Sequence, residues 1–148
     1  MALEMTGEFQ LSAPREAVWE KLNDSGVLKA CIPGCEELEK LADGGFRASA
    51  RMKVGPVSAR FKGRVSLSDL NPPQSYRITG EGEGGVAGFA KGSALVTLTE
   101  AGGGTQLRYT VEAQIGGKLA QLGQRLISGT AKKLADEFFT KFASAVES

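Results

Sequence analysis

The spacing of apolar residues changes near Gly117, and that change limits the folds open to the chain. From Phe46 to Ile115 apolar residues fall on alternate positions, and from Gly117 onward they fall on every third or fourth. A period of two lays one face of a strand on a core, and a period near 3.6 lays one face of a helix there. The chain must therefore build a run of half-buried strands and then one long helix that covers them.

Phe46, Ala48, Ala50, Met52 and Val54 alternate with Arg47, Ser49, Arg51 and Lys53 up to a turn at Gly55-Pro56. Val57, Ala59, Phe61, Gly63, Val65 and Leu67 then alternate with Ser58, Arg60, Lys62, Arg64, Ser66 and Ser68, which predicts a hairpin with one buried face. Beyond Asn71-Pro72-Pro73, Tyr76, Ile78, Gly80 and Gly82 oppose Arg77, Thr79, Glu81 and Glu83. Glu83 to Gly88 reads as a flexible loop. Phe89–Thr99 and Thr105–Ile115 form a last pair around Gly102-Gly103-Gly104. Leu119, Leu122, Leu126, Thr130, Leu134, Phe138, Phe142 and Val146 then mark the stripe of one helix starting near Gly117.

Ahead of the hairpins, Phe9 and Leu11 alternate in a strand from Thr6 to Ser12, with Ser12 as N-cap and Pro14 in the first turn of a helix reaching Leu22. Val18, Trp19 and Leu22 share one face of it. Val27–Cys31 is a second short helix, ended by the turn Ile32-Pro33-Gly34-Cys35. The fold class is α+β: a curved antiparallel sheet of about seven strands wrapped around a long C-terminal helix, with two short helices after the first strand. Residues 1–148 make a single domain with no repeat or linker. A domain of this length buries roughly 70% of the surface its unfolded chain exposes, so it needs no staples.

Charge gives no mandate for nucleic acid, because 18 basic and 17 acidic residues leave a formal net charge of +1. Aromatic residues do not interleave with the basic ones either. The first residues form neither a secretory signal nor a presequence, and no apolar run approaches the roughly 20 residues of a membrane helix. A cytoplasmic protein, at most peripheral at the inner face of the membrane, is expected.

Chemistry is scarce. There is no histidine, which removes the commonest general base and metal ligand. Cys31 and Cys35 are the only cysteines, two ligands short of a zinc site, and read as reduced thiols or as a redox pair. Glu81 and Glu83 share a strand face with Arg77, away from Ile78, so they read as solvated charges rather than as an acid–base pair. The glycines from Gly80 to Gly92 lack the Lys-Ser or Lys-Thr ending of a phosphate loop.

The inward positions instead describe an apolar cavity. Its expected lining is Ala48, Ala50, Met52, Phe61, Gly63, Val65, Ile78, Gly80, Phe89, Tyr109, Val111, Leu119, Leu122, Gly123 and Leu126, bounded by the sheet and the first half of the last helix. None carries a carboxylate, an amine or a thiol. Gly123 and Gly129, each costing roughly 1 kcal/mol inside a helix, leave room for a ligand, let the helix approach the sheet, or bend it.

Several segments together carry a family resemblance: Pro14–Leu22, Cys31-Ile32-Pro33-Gly34-Cys35, Val54-Gly55-Pro56, Ala90-Lys91-Gly92-Ser93 and Gly116–Gly123. With them the sequence resembles the carbon monoxide dehydrogenase G-subunit family, within the START and Bet v 1-like (SRPBCC) helix-grip superfamily, over almost its whole length. The resemblance implies a hydrophobic ligand, a quinone or lipid, and a role in membrane recruitment or quinone supply for a molybdenum-containing dehydrogenase. Tyr76 and Tyr109 are candidates to orient a quinone carbonyl or lipid head. The chain stops at Ser148 without the tail that the resemblance associates with anchoring.

The expected function is thus a non-catalytic binding protein with no metal and no covalent cofactor. A cyclase or hydrolase of the same superfamily, and an adaptor with an unused cavity, are the alternatives. Lys53, Val54, Pro56, Arg60, Lys91 and Lys118 are the expected membrane or partner surface. They lie around one end of the sheet, where the Val54–Val57 turn, the Gly84–Phe89 loop and Gly116-Gly117 should meet.

Overall fold

A computed structural model describes residues 1–147. The chain runs β1 (Ala2–Leu11), α1 (Arg15–Leu22), α2 (Ser25–Cys31), β2 (Cys35–Lys40), β3 (Phe46–Val54), β4 (Val57–Asn71), β5 (Ser75–Glu83), β6 (Phe89–Ala101), β7 (Gly104–Gly116), α3 (Lys118–Gln121) and α4 (Gln124–Glu147). The described strands form one antiparallel sheet in the order β1-β7-β6-β5-β4-β3-β2. The alternation of the sequence sets the register: Phe46 pairs with Val65, Ala48 with Gly63 and Ala50 with Phe61.

α4 packs on β1 and on α2, and α2 packs on β2. The helices thus span from one edge of the curved sheet to the other, covering the apolar face that the strand pattern demands. β2 carries Glu36, Glu37, Glu39 and Lys40 around one inward apolar residue, Leu38, so alternation had little to reveal it. Such a charged edge resists pairing with another chain.

Three local expectations are corrected. Pro14, not Ser12, precedes α1: it is extended (ψ 157°), its carbonyl accepts from the amides of Ala17 and Val18, and no side chain caps the helix. α2 begins at Ser25 because Asp24 Oδ1 accepts from the amides of Gly26 (2.8 Å) and Val27 (3.2 Å). The last helix is broken: Gly123, at φ +92°, separates α3 from α4, and its carbonyl accepts from Ile127. The left-handed residue stops the first segment, as glycine can without a Cβ clash. The expected flexible loop holds one turn of 3-10 helix, Gly85–Ala87.

Candidate functional site

Two clusters of buried side chains occupy the inside of the sheet. The larger includes Leu11, Val18, Leu22, Tyr76, Val96, Leu107, Phe142 and Val146. The smaller is Leu3, Val54, Ile115, Leu119 and Ile127, with Phe61 and Leu122 packed on it. A cavity of about 520 Å³ takes part of its lining from each: Tyr76, Val96, Leu107, Phe138 and Phe139 from the first, and Ala90 and Ala113 from the second.

The inward rows of the sheet explain why the space stays open. Leu67, Ile78, Ala94 and Val111 stand side by side in one row, Val65, Gly80, Gly92 and Ala113 in the next, and Gly63, Gly82 and Ala90 in the third. Glycine and alanine there leave a wall almost without side chains. The glycines also let the strands crowd together: a Cβ on Gly92 would collide with the Glu112 carbonyl, and one on Gly80 would sit 2.8 Å from Val65 Cγ1. Leu22 of α1, Leu28 of α2, Ile32, and Phe138 and Phe139 of α4 form the opposite side, and Leu38, Phe46 and Ala48 complete the lining.

Arg64, Glu81, Lys91 and Ser93 also border the cavity, but they occupy the alternate, outward positions of the register. Arg64, Glu81 and Lys91 stand in one outer row, so opposite charges are neighbours there. Glu83 is likewise exposed, opposite Lys62. Tyr76 is the one inward lining residue with a polar side-chain group. It is 3% exposed, its ring meets Trp19 edge-on at 5.1 Å, and burial pushes its phenol pKa well up. The Cys31 and Cys35 thiols are also pushed up, chiefly by burial, so neither has the depressed pKa of a reactive thiolate.

Of the lining expected from sequence, the structure brings Ala48, Gly63, Val65, Ile78, Gly80 and Val111 to this cavity. The others stand elsewhere. Ala50 is buried opposite Phe61, and Met52 is half-buried opposite Ala59. Phe61, Leu119 and Leu122 belong to the smaller cluster. Tyr109 stacks against Phe139 (centroids 5.6 Å) and beside Phe9 (6.4 Å), with its ring lying over Gly7. Gly123 is the helix break, while Phe89 and Leu126 are 44% and 38% exposed. The break turns the stripe by one residue, so that Ile127 rather than Leu126 faces inward.

The cavity accordingly adjoins the second half of the last helix. Sequence reasoning passed over α2 as a wall, together with Phe138, Phe139 and the small inward run Ala90, Gly92, Ala94. That run was the available signal. On the expected membrane or partner surface, Lys53, Pro56, Arg60, Lys91 and Lys118 are exposed, Arg60 pairing with Glu36 at 2.7 Å; Val54 is buried in the smaller cluster. The Arg60 hydrogen bond holds the Glu36 carboxyl below its ordinary pKa.

The family model of the carbon monoxide dehydrogenase G subunit (CoxG) matches residues 7–147. The chain belongs to the CoxG family. Among solved structures, a conserved protein from Geobacillus kaustophilus is 34% identical, with 98% of this chain and 95% of that one covered and a TM-score of 0.92. The Zhui aromatase/cyclase from a Streptomyces species is 15% identical over 99% and 94% of the two chains (TM-score 0.72), and Ara h 8.0201 is 13% identical over 99% and 98% (TM-score 0.67). These last two share the Bet v 1-like helix-grip fold with this CoxG-family chain. No curated protein sequence matches it. Among the described residues, no helix is long and apolar enough to cross a membrane, and no group of three or more His, Cys, Asp or Glu residues is placed to hold a metal ion.

Proposed function

We propose that this CoxG-family chain is a non-catalytic carrier of a hydrophobic small molecule, a quinone or lipid-like compound, and that it serves membrane recruitment or quinone supply of a carbon monoxide dehydrogenase-type molybdenum enzyme. The observation that carries the reading is the apolar cavity of about 520 Å³, held open by glycine and alanine rows and framed by aliphatic and aromatic side chains. A compact apolar molecule gains roughly 25 cal/mol for each Å² of surface it buries in such a space. Catalysis lacks its usual parts: the chain has no histidine, Glu81 and Glu83 occupy outward positions, and burial keeps the Tyr76 phenol protonated.

Trp19, the one tryptophan, lies edge-on to Tyr76 beside the cavity and provides the test. Titration with a naphthoquinone should quench Trp19 fluorescence to saturation at one molecule per chain. Ala94→Phe, which places a ring in the middle of the cavity, should abolish saturation while retaining the sheet spectrum. Saturable quenching that survives Ala94→Phe would move the ligand elsewhere and defeat the proposal.

A further inference from the structure

Tyr76 is only 3% exposed, borders the cavity, and makes no hydrogen bond to any described residue through its side chain. A buried hydroxyl without a partner forgoes a hydrogen bond and is destabilising. Its hydroxyl nevertheless keeps access to a water-sized space, since Arg15 Nε is the one side-chain polar atom among the described residues that is both sealed off and unpartnered. Trp19 of α1 covers one side of the ring, and the open space that Tyr76 lines is the cavity. All other inward lining groups are hydrocarbon.

We infer that the Tyr76 hydroxyl is the specificity group of this cavity, donating a hydrogen bond to a single carbonyl-type oxygen on a neutral, otherwise apolar ligand. The inference rests on the cavity reading above and narrows it to one ligand chemistry. A phenol can donate or accept. Burial disfavours its anion, so at neutral pH it offers an O–H, and a ketone, quinone or ester oxygen is the matching acceptor. A carboxylate does not match: Arg64 and Lys91 point outward, so no cation inside the cavity offsets the cost of burying an anion.

Polar groups that a site is built to pair discriminate strongly between ligands with and without the partner atom. Tyr76→Phe keeps the ring against Trp19 and removes only the donor. Equilibrium dialysis against fluorenone, fluorene and fluorene-9-carboxylate separates the effects, because the first two differ only in carbonyl against methylene. The unmodified protein should bind fluorenone more tightly than fluorene and the carboxylate most weakly. Tyr76→Phe should weaken fluorenone about 5- to 10-fold, the loss of one net hydrogen bond, and leave fluorene within about twofold. Equal losses for both neutral probes, no loss for fluorenone, or tight carboxylate binding would each overturn the assignment. Failure of the unmodified protein to bind even fluorene would instead overturn the cavity reading, and the assignment with it.

Discussion

Gly129 and Gly123 look alike in the sequence, but their surroundings oppose each other. Gly129 lies inside α4, exposed, with nothing within 4 Å of the place a Cβ would take, so it serves neither close packing nor the cavity. Gly129→Ala should raise stability by about 0.5–1 kcal/mol, since it removes the backbone entropy cost of glycine in a helix, and raise the melting temperature by about 2–4 °C. Gly123→Ala should do the opposite, because φ +92° is strained for alanine. Differential scanning calorimetry of the two variants checks both signs. Tyr76 gives a prediction in pH. Below its ordinary pKa of 10.0 the phenol is protonated in both the folded and unfolded chain, whereas above it the unfolded chain ionises first. Stability should therefore fall above about pH 10, by up to about 1.4 kcal/mol per pH unit from this group. Urea titrations between pH 9 and 11 should show a shallower fall in Tyr76→Phe; an unchanged slope would refute the shift.

The junction of β1 and α1 depends on a contact that lies 92 positions apart in the chain: the fully buried Thr105 hydroxyl donates to the Ala13 carbonyl at 2.6 Å. Thr105→Val keeps the shape but strands the carbonyl, so a loss of about 1–3 kcal/mol is expected in urea denaturation. Strands β3 to β7 were legible because their faces alternate, and α1 because Val18 and Leu22 repeat at helical spacing. A bend was one of the readings open at Gly123 and Gly129, but the break between α3 and α4 was not fixed by the sequence. Leu119, Leu122 and Leu126 keep a helical period across Gly123, and only the backbone turn there, with Leu119 and Leu122 held in the smaller cluster, reveals that the stripe resumes one residue later.

Across the molecule, the β3–β4 turn, the Gly85–Ala87 loop and the start of α3 gather at one end. Gly55 abuts Leu126, and Gly88 abuts Gly117. Val86 is 84% exposed there and Phe89 44%, with Lys53, Lys91 and Lys118 exposed nearby in the sequence. Apolar tips among lysines suit shallow contact with an anionic membrane, each lysine near the surface adding about 1 kcal/mol. Flotation with anionic vesicles at low salt should recover the protein, and Val86→Glu with Phe89→Glu should leave it at the bottom of the gradient. Failure of the unmodified protein to float would assign this end to a protein partner.

Residue order alone dictated the alternating strands β3 to β7 and a closing helical segment, since a period of two or 3.6 is a local property that burial turns directly into strand or helix. It also dictated that the inward face would be apolar and rich in small residues. Where those small residues left space depended on strand pairing. Gly63, Gly80, Gly82 and Gly92 are spread over three strands and become one wall only when β4, β5 and β6 pair. Six of the expected lining residues met there, while the cavity came to adjoin the second half of the last helix. The left-handed glycine puts Ile127 in place of Leu126 on the inward face, Phe138, Phe142 and Val146 keep their expected places, and a periodic pattern carries no record of that local turn.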